Sequence, residues 1–137
     1  MTKLRPAPTP SRDSAFFWDG LNRNVLLGQR CSSCQKFRHP PRPMCPQCQS
    51  LDWKAIELST RGTLHAVVKP VHPPLPMFGP GYLVALIELP EGIRLLSNLC
   101  DIDLESARVG MAVEVFFVET EGGDKIHQYR PIGEALG

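Results

Sequence analysis

Apolar positions along this chain fall into short runs broken by glycine and proline, and the runs change character near residue 55. From there on, five stretches read as strands: Ile56 to Val71, bent at Gly62; Tyr82 to Leu89; Ile93 to Leu99; Ala112 to Glu119; and Lys125 to Pro131. Pro90-Glu91-Gly92 joins the second to the third, and Glu121-Gly122-Gly123-Asp124 the fourth to the fifth, each with the residues a tight hairpin requires. Between the third and fourth, Asp101 to Arg108 has room for one or two helical turns before Gly110. Five strands with a helical insertion after the third predict an OB-fold, a partly open Greek-key barrel.

The first part of the chain reads differently. After a loose leader, Ser11 or Asp13 is placed to cap a short helix running to about Leu21 that carries Phe16, Phe17 and Trp18. Adjacent aromatics point in different directions around a helix. Such a helix either docks part of its surface on another chain or packs beneath the segment that follows. Val25 to Arg30 then reads as a strand, and Phe37-Arg38-His39 as a return strand. Pro40, Pro41 and Pro43 impose an extended connection beyond it, because proline cannot donate to a ladder. The expected divisions are a leader and helix over 1–24, a small module over 25–55 and the barrel over 56–137.

Composition changes this picture in one respect. Fourteen prolines and eleven glycines in 137 residues favour many short elements over long helices. With 15 basic and 14 acidic residues the formal charge is +1, so no overall field draws the chain to nucleic acid or an anionic membrane.

The chemistry lies in the cysteines. Cys31-Ser-Ser-Cys34 and Cys45-Pro-Gln-Cys48 are two C-x-x-C turns in the small module. Each such turn aims two sulfurs at one point, and two turns complete the four tetrahedral thiolates that suit zinc. The competing readings are disulfides or a redox dithiol, and compartment separates them. The N-terminus has no apolar core of the kind a signal peptide needs, and no stretch approaches the roughly 20 apolar residues of a membrane span. The expectation is therefore a reducing cytoplasm and a structural zinc ribbon. Cys100, after Leu95 to Leu99, reads as a buried inert thiol.

Taken together, the helix Phe17-Trp18-Asp19-Gly20-Leu21, the ribbon from Gln29-Arg30-Cys31 through Pro40-Pro41-Arg42-Pro43-Met44-Cys45-Pro46-Gln47-Cys48, Arg61-Gly62-Thr63-Leu64, Leu86 to Gly92, Gly110-Met111-Ala112-Val113 and Tyr129-Arg130-Pro131 carry a resemblance. In this order they are similar to the DUF35-type family, in which an N-terminal helix and a rubredoxin-like zinc ribbon precede an OB-fold. The resemblance covers nearly the whole chain. It implies a zinc-binding accessory subunit, not catalytic by itself, that joins a thiolase-like or other acyl-CoA enzyme, including aldolases of steroid side-chain breakdown. It also implies a hetero-oligomer and contact with the coenzyme A ester. Some members of the family lack metal, whereas all four ligands are present here.

Residues that could serve that role can be named. The segment Lys69 to Gly81 is proline-rich and carries Leu75, Met77 and Phe78. They form either a recognition lip for a partner or acyl chain, or a plug for one end of the barrel; each, if buried by a partner, is worth roughly 1.5–3 kcal/mol. Phe17 and Trp18 are the corresponding candidates on the helix. Arg38, among the cations Arg30, Lys36, Arg42, Arg61 and Lys69, is the candidate for the phosphates of coenzyme A. His39, His65, His72 and His127 read as surface or hydrogen-bonded histidines. The other reading of a zinc ribbon with an OB-fold is a single-stranded nucleic-acid binder, against which the lack of a basic stripe on the barrel argues. No nucleophile elbow, phosphate-cradling glycine loop or dinucleotide fingerprint is present.

Overall fold

The computed structural model describes residues 11–70 and 82–132. Helix α1, Ala15–Asn22, begins after Ser14, whose hydroxyl is engaged with that of Ser11 at 2.9 Å and caps no helical N–H. The Gly20 carbonyl receives the N–H groups of Arg23 and Val25, and Asn24, at φ 62°, reverses the chain. That turn consumes Val25 and Leu26, so the expected strand starts at Leu27 rather than Val25.

Strand β1 (Leu27–Cys31) is the centre of a three-stranded antiparallel sheet, flanked by β2 (Phe37–Arg38) and β3 (Trp53–Glu57). Register pairs Gln29 with Arg38 on one side and Cys31 with Trp53 on the other. This is the ribbon. The remaining strands, β4 (Arg61–Val68), β5 (Leu83–Glu88), β6 (Arg94–Leu99), β7 (Ala112–Glu119) and β8 (Lys125–Pro131), close into a barrel of order β4-β5-β6-β8-β7. The closure is uneven. Strands β7 and β8 pair from Val113↔Pro131 to Glu119↔Lys125, whereas β6 and β8 meet in parallel at the single pair Leu99↔Tyr129.

Two expectations need correction. The run read as one strand from Ile56 to Val71 belongs to two sheets: Ile56 and Glu57 end the ribbon in β3, Arg61 opens the barrel in β4, which runs to Val68, and Val71 lies outside the described residues. Between them the Leu58 N–H bonds the Leu26 carbonyl at 2.8 Å. Ser59, through its N–H and its hydroxyl, is held by one carboxylate oxygen of Glu91, both at 2.9 Å. The bend assigned to Gly62 is also absent, for Gly62 pairs regularly with Val113 and the register break falls between Leu64 and Ala66. Gly62 answers to close approach instead: a Cβ there would lie 2.7 Å from the Glu88 carbonyl oxygen. Asp101 to Arg108 forms a single turn in which Ser106 and Ala107 donate to the Asp103 carbonyl, with no helix.

Alternate residues of the barrel strands point inward, as the pleat dictates. Leu64, Leu83, Ala85, Ile87, Leu95, Leu99, Val113 and Tyr129 fill the interior. Phe17 and Leu21 of α1, and Leu26 and Leu58 of the ribbon ends, belong to the same buried cluster. One hydrophobic core therefore runs from the helix into the barrel. Among the described residues no helix is long and apolar enough to cross a membrane.

Candidate metal centre and the surfaces beside it

The two C-x-x-C turns are built alike. In the first, the Gln35 N–H bonds the Cys31 carbonyl and the Cys31 N–H bonds the Lys36 carbonyl; in the second, Gln49 N–H bonds Cys45 and Cys45 N–H bonds the Ser50 carbonyl. Each turn is completed by a glutamine in the left-handed region, Gln35 at φ 69° and Gln49 at φ 64°. The four sulfurs lie within 4.8 Å of one another, with Cys31 to Cys48 at 3.5 Å and Cys34 to Cys45 at 3.6 Å. A tetrahedron with metal–sulfur bonds of about 2.3 Å has edges of about 3.8 Å, so the set fits zinc.

Electrostatics agree with geometry. The backbone N–H groups of Cys34 and Cys48, turned toward the sulfurs of Cys31 and Cys45, lower both thiols, Cys31 to about 6. At Cys48 the Ser50 N–H favours the thiolate, but the neighbouring sulfurs resist another negative charge and the net shift is upward, to about 11. Four thiolates this close need a cation between them. With all four positions taken by cysteine no place remains for a reacting water, and the site holds the ribbon together rather than doing chemistry.

The structure divides the aromatic helix among three surroundings. Phe16 packs on Trp53 of β3 with ring centroids 4.8 Å apart. Phe17, only 3% exposed, lies between His39 at 5.5 Å and His127 at 5.3 Å. Trp18 is half-buried and touches Phe17 edge-on. Of the two helical candidates, Trp18 retains surface to offer, and Phe17 acts by fixing the helix that displays it. Leu75, Met77, Phe78 and His72 lie outside the described residues.

Arg38 is 6% exposed and donates from Nε and Nη2 to the Arg42 carbonyl, at 3.1 and 3.0 Å. Gln29, also buried, grips the Arg42 backbone from the other side at both its N–H and its carbonyl. These contacts shape the proline segment after β2. Arg30 lies over the Phe37 ring, 5.7 Å from its centroid, while Lys36, Arg42, Arg61 and Lys69 are exposed. The sequence missed a histidine pair: His39 and His127, far apart in the chain, meet around Phe17. Burial pushes both down to about 4, so both are neutral near pH 7. His127 spans to the Leu96 carbonyl through Nε2 at 3.2 Å, and its Nδ1 is buried with no partner among the described residues. His65 is exposed, as expected of a surface histidine. Cys100 is half-buried, its sulfur 3.5 Å from Gln128 Oε1. Tyr129 is fully buried, and burial, with Glu91 nearby, holds its hydroxyl protonated far above the usual range. On the outer wall of the barrel, Phe116 is covered by Arg130, 4.9 Å from the ring centroid.

A zinc ribbon carried on the flank of a five-stranded OB barrel, with helix, ribbon and barrel sharing one core, defines the class of this protein. Residues 18–54 match the family model described as the ChsH2 rubredoxin-like zinc ribbon domain, and residues 55–118 match the ChsH2 C-terminal OB-fold domain. The chain belongs to this ChsH2, or DUF35, family. It is 31% identical over 123 residues to a "DUF35 domain-containing scaffold protein" of Methanocaldococcus jannaschii, covering 84% of that protein. It is 39% identical over 128 residues to a "Probable enoyl-CoA hydratase alpha subunit" of Thermomonospora curvata; the match takes in 93% of this chain and 40% of that relative, so the chain spans about two fifths of its length. A solved structure titled "Ltp2-ChsH2(DUF35) aldolase" superposes with a TM-score of 0.86 at 38% identity, over 91% of this chain and 98% of the other.

Proposed function

We propose that this chain is a non-catalytic accessory subunit of an acyl-CoA-processing enzyme, joined to a thiolase-like partner in a hetero-oligomer. The observation that carries the reading is the superposition over 91% of this chain and 98% of a chain in the structure titled "Ltp2-ChsH2(DUF35) aldolase", a share too large to be the barrel alone. The chain's own residues agree. Its metal site is closed by four cysteines, and its two half-buried histidines face an aromatic ring. The docking surface in this reading includes Trp18 on α1 and the segment bearing Leu75, Met77 and Phe78, and the subunit contributes to the surroundings of the coenzyme A ester in its partner. Zinc is the structural ion that keeps α1 and the ribbon in place.

The test is capture from the native host, after nuclease treatment, with a tagged full-length chain at low and moderate salt. A thiolase-like or other acyl-CoA enzyme is expected to co-purify near stoichiometrically at both salt concentrations. Trp18→Ala and Phe78→Asp are expected to weaken its recovery while zinc content stays unchanged. Recovery of nucleic-acid proteins that vanish as salt rises would overturn the proposal in favour of the single-strand-binding reading.

A further inference from the structure

The four cysteines of the ribbon do not meet the solvent alike. Cys31 and Cys45, the first of each turn, are 0% and 2% exposed and Cys34 is half-buried, whereas Cys48 lies at the open rim. Their sulfurs also differ in what the backbone directs at them. Cys31 faces the N–H groups of Ser33 and Cys34, and Cys45 those of Gln47 and Cys48, while at Cys48 a single N–H, that of Ser50, is engaged. A hydrogen bond onto a thiolate withdraws electron density from the sulfur, so the open sulfur of Cys48 is a better nucleophile than either buried one. Cys31 Sγ stands 3.5 Å from it, on the side away from water. The two turns are also tied by contacts other than the sulfurs. Ser33 Oγ donates to Ser50 Oγ at 3.0 Å and the Ser32 N–H to the Asp52 carbonyl at 3.0 Å, which keeps Cys31 and Cys48 apposed whatever lies between them.

We propose that Cys48 and Cys31 form a peroxide-sensitive pair, in which oxidation replaces the metal clasp by a disulfide between the two turns. The oxidant is hydrogen peroxide, and the cysteines of a zinc-loaded ribbon meet it as thiolates. The Cys48 thiolate attacks one peroxide oxygen: an S–O bond forms, the O–O bond breaks, and the other oxygen leaves as hydroxide and takes a proton from solvent. The Cys31 thiolate then attacks the Cys48 sulfur. An S–S bond forms, the S–O bond breaks, and the second oxygen leaves as hydroxide and is protonated in turn. Two thiolates have given up two electrons, and peroxide has become two waters. Burial suits Cys31 to the second step, since a thiolate screened from peroxide stays available to trap the sulfenic acid before it is oxidised irreversibly to the sulfinic acid. The two sulfurs left over, those of Cys34 and Cys45, do not retain zinc. Register places Cys31 opposite Trp53, on which Phe16 of α1 packs, so the change is passed on to the helix. This property belongs to the chain alone and does not rest on the accessory-subunit reading.

The experiment treats the zinc-loaded full-length chain with hydrogen peroxide while a chromogenic chelator reports free zinc. The protein is then blocked with N-ethylmaleimide, digested and mapped by mass spectrometry. Release of zinc is expected to keep step with the growth of a peptide cross-linked between Cys31 and Cys48, and dithiothreitol with added zinc should restore the loaded chain. Cys48→His keeps four zinc ligands and should slow release about tenfold, because the exposed thiolate is gone. Cys100→Ser should release zinc at the parent rate. Should Cys48→His fail to hold zinc, the peptide map of the parent chain decides by itself. Retention of zinc through the treatment, a cross-link between Cys45 and Cys48, sulfinic acid at Cys48 in place of a disulfide, dependence on Cys100, or release from Cys48→His at the parent rate overturns the proposal.

Discussion

At the scale of single residues, the two metal turns carry a cost that their sequences do not advertise. Gln35 and Gln49 hold positive φ, a region that an L-residue enters at about 1–2 kcal/mol and glycine enters freely. Gln49→Gly is therefore expected to leave the stability of the zinc-loaded chain unchanged or slightly raised, and Gln49→Val to lower it by about 1–2 kcal/mol, read by chemical unfolding at fixed zinc. The histidines make a second prediction. His39 and His127 titrate near 4 in the folded chain and near 6.5 when unfolded. Above about pH 6.5 both states are neutral and stability does not respond; as pH falls from there toward 4, the unfolded chain takes up protons that the folded chain refuses, and stability is lost. Zinc release adds its own acid dependence, so the measurement is a difference: the slope of stability between pH 6.5 and 4 should be shallower in His127→Gln than in the parent chain. The cysteines were legible because their chemistry is encoded in spacings of two. The histidine pair was not, because only the packing of α1 on β8 brings His127 to the residue beside the ribbon.

Among the elements, the barrel strands were the most readable, since each alternates inward and outward and ends at a turn residue. Gly92, Gly110 and Gly123 all adopt positive φ at the expected reversals. The junction of ribbon and barrel was misread for a physical reason. Ile56, Leu58 and Leu64 look like one apolar run, but Leu58 fills the core between the sheets, and the break is made by Ser59, anchored on a glutamate that lies far ahead in the chain. The glycines of the two sheets separate what a close approach costs. At Gly62 an added methyl meets the Glu88 carbonyl at 2.7 Å and a paired strand that cannot retreat; at Gly28 it meets the Leu58 side chain at 2.6 Å, which can rotate. Gly62→Ala is expected to destabilise by about 2–3 kcal/mol and Gly28→Ala by less, compared by thermal unfolding.

For the molecule as a whole, metal and core are linked but not equivalent. Removing zinc, by chelation or by Cys34→Ser, takes away what closes the turns at 31–34 and 45–48, and the small sheet has too little core of its own to survive. Hydrogen exchange should then rise sharply over residues 27–57. The barrel, filled by its own strands, should keep protected amides but melt at a lower temperature, because Phe17, Leu21 and Leu26 no longer seal one flank. Simultaneous loss of all protection would show that the barrel depends on the ribbon outright.

The meeting of β6 with β8 at one residue pair has a mechanical meaning. The barrel wall has a seam, bridged by Leu99↔Tyr129, by the Ser97 hydroxyl on the His127 carbonyl and by the His127 ring on Leu96, and α1 lies over β8, tied to the β7–β8 hairpin through Asn22. A load on the helix is therefore delivered straight to the least fastened line in the wall. Pulled at α1, the protein should yield by unzipping along that seam while its metal clasp still holds.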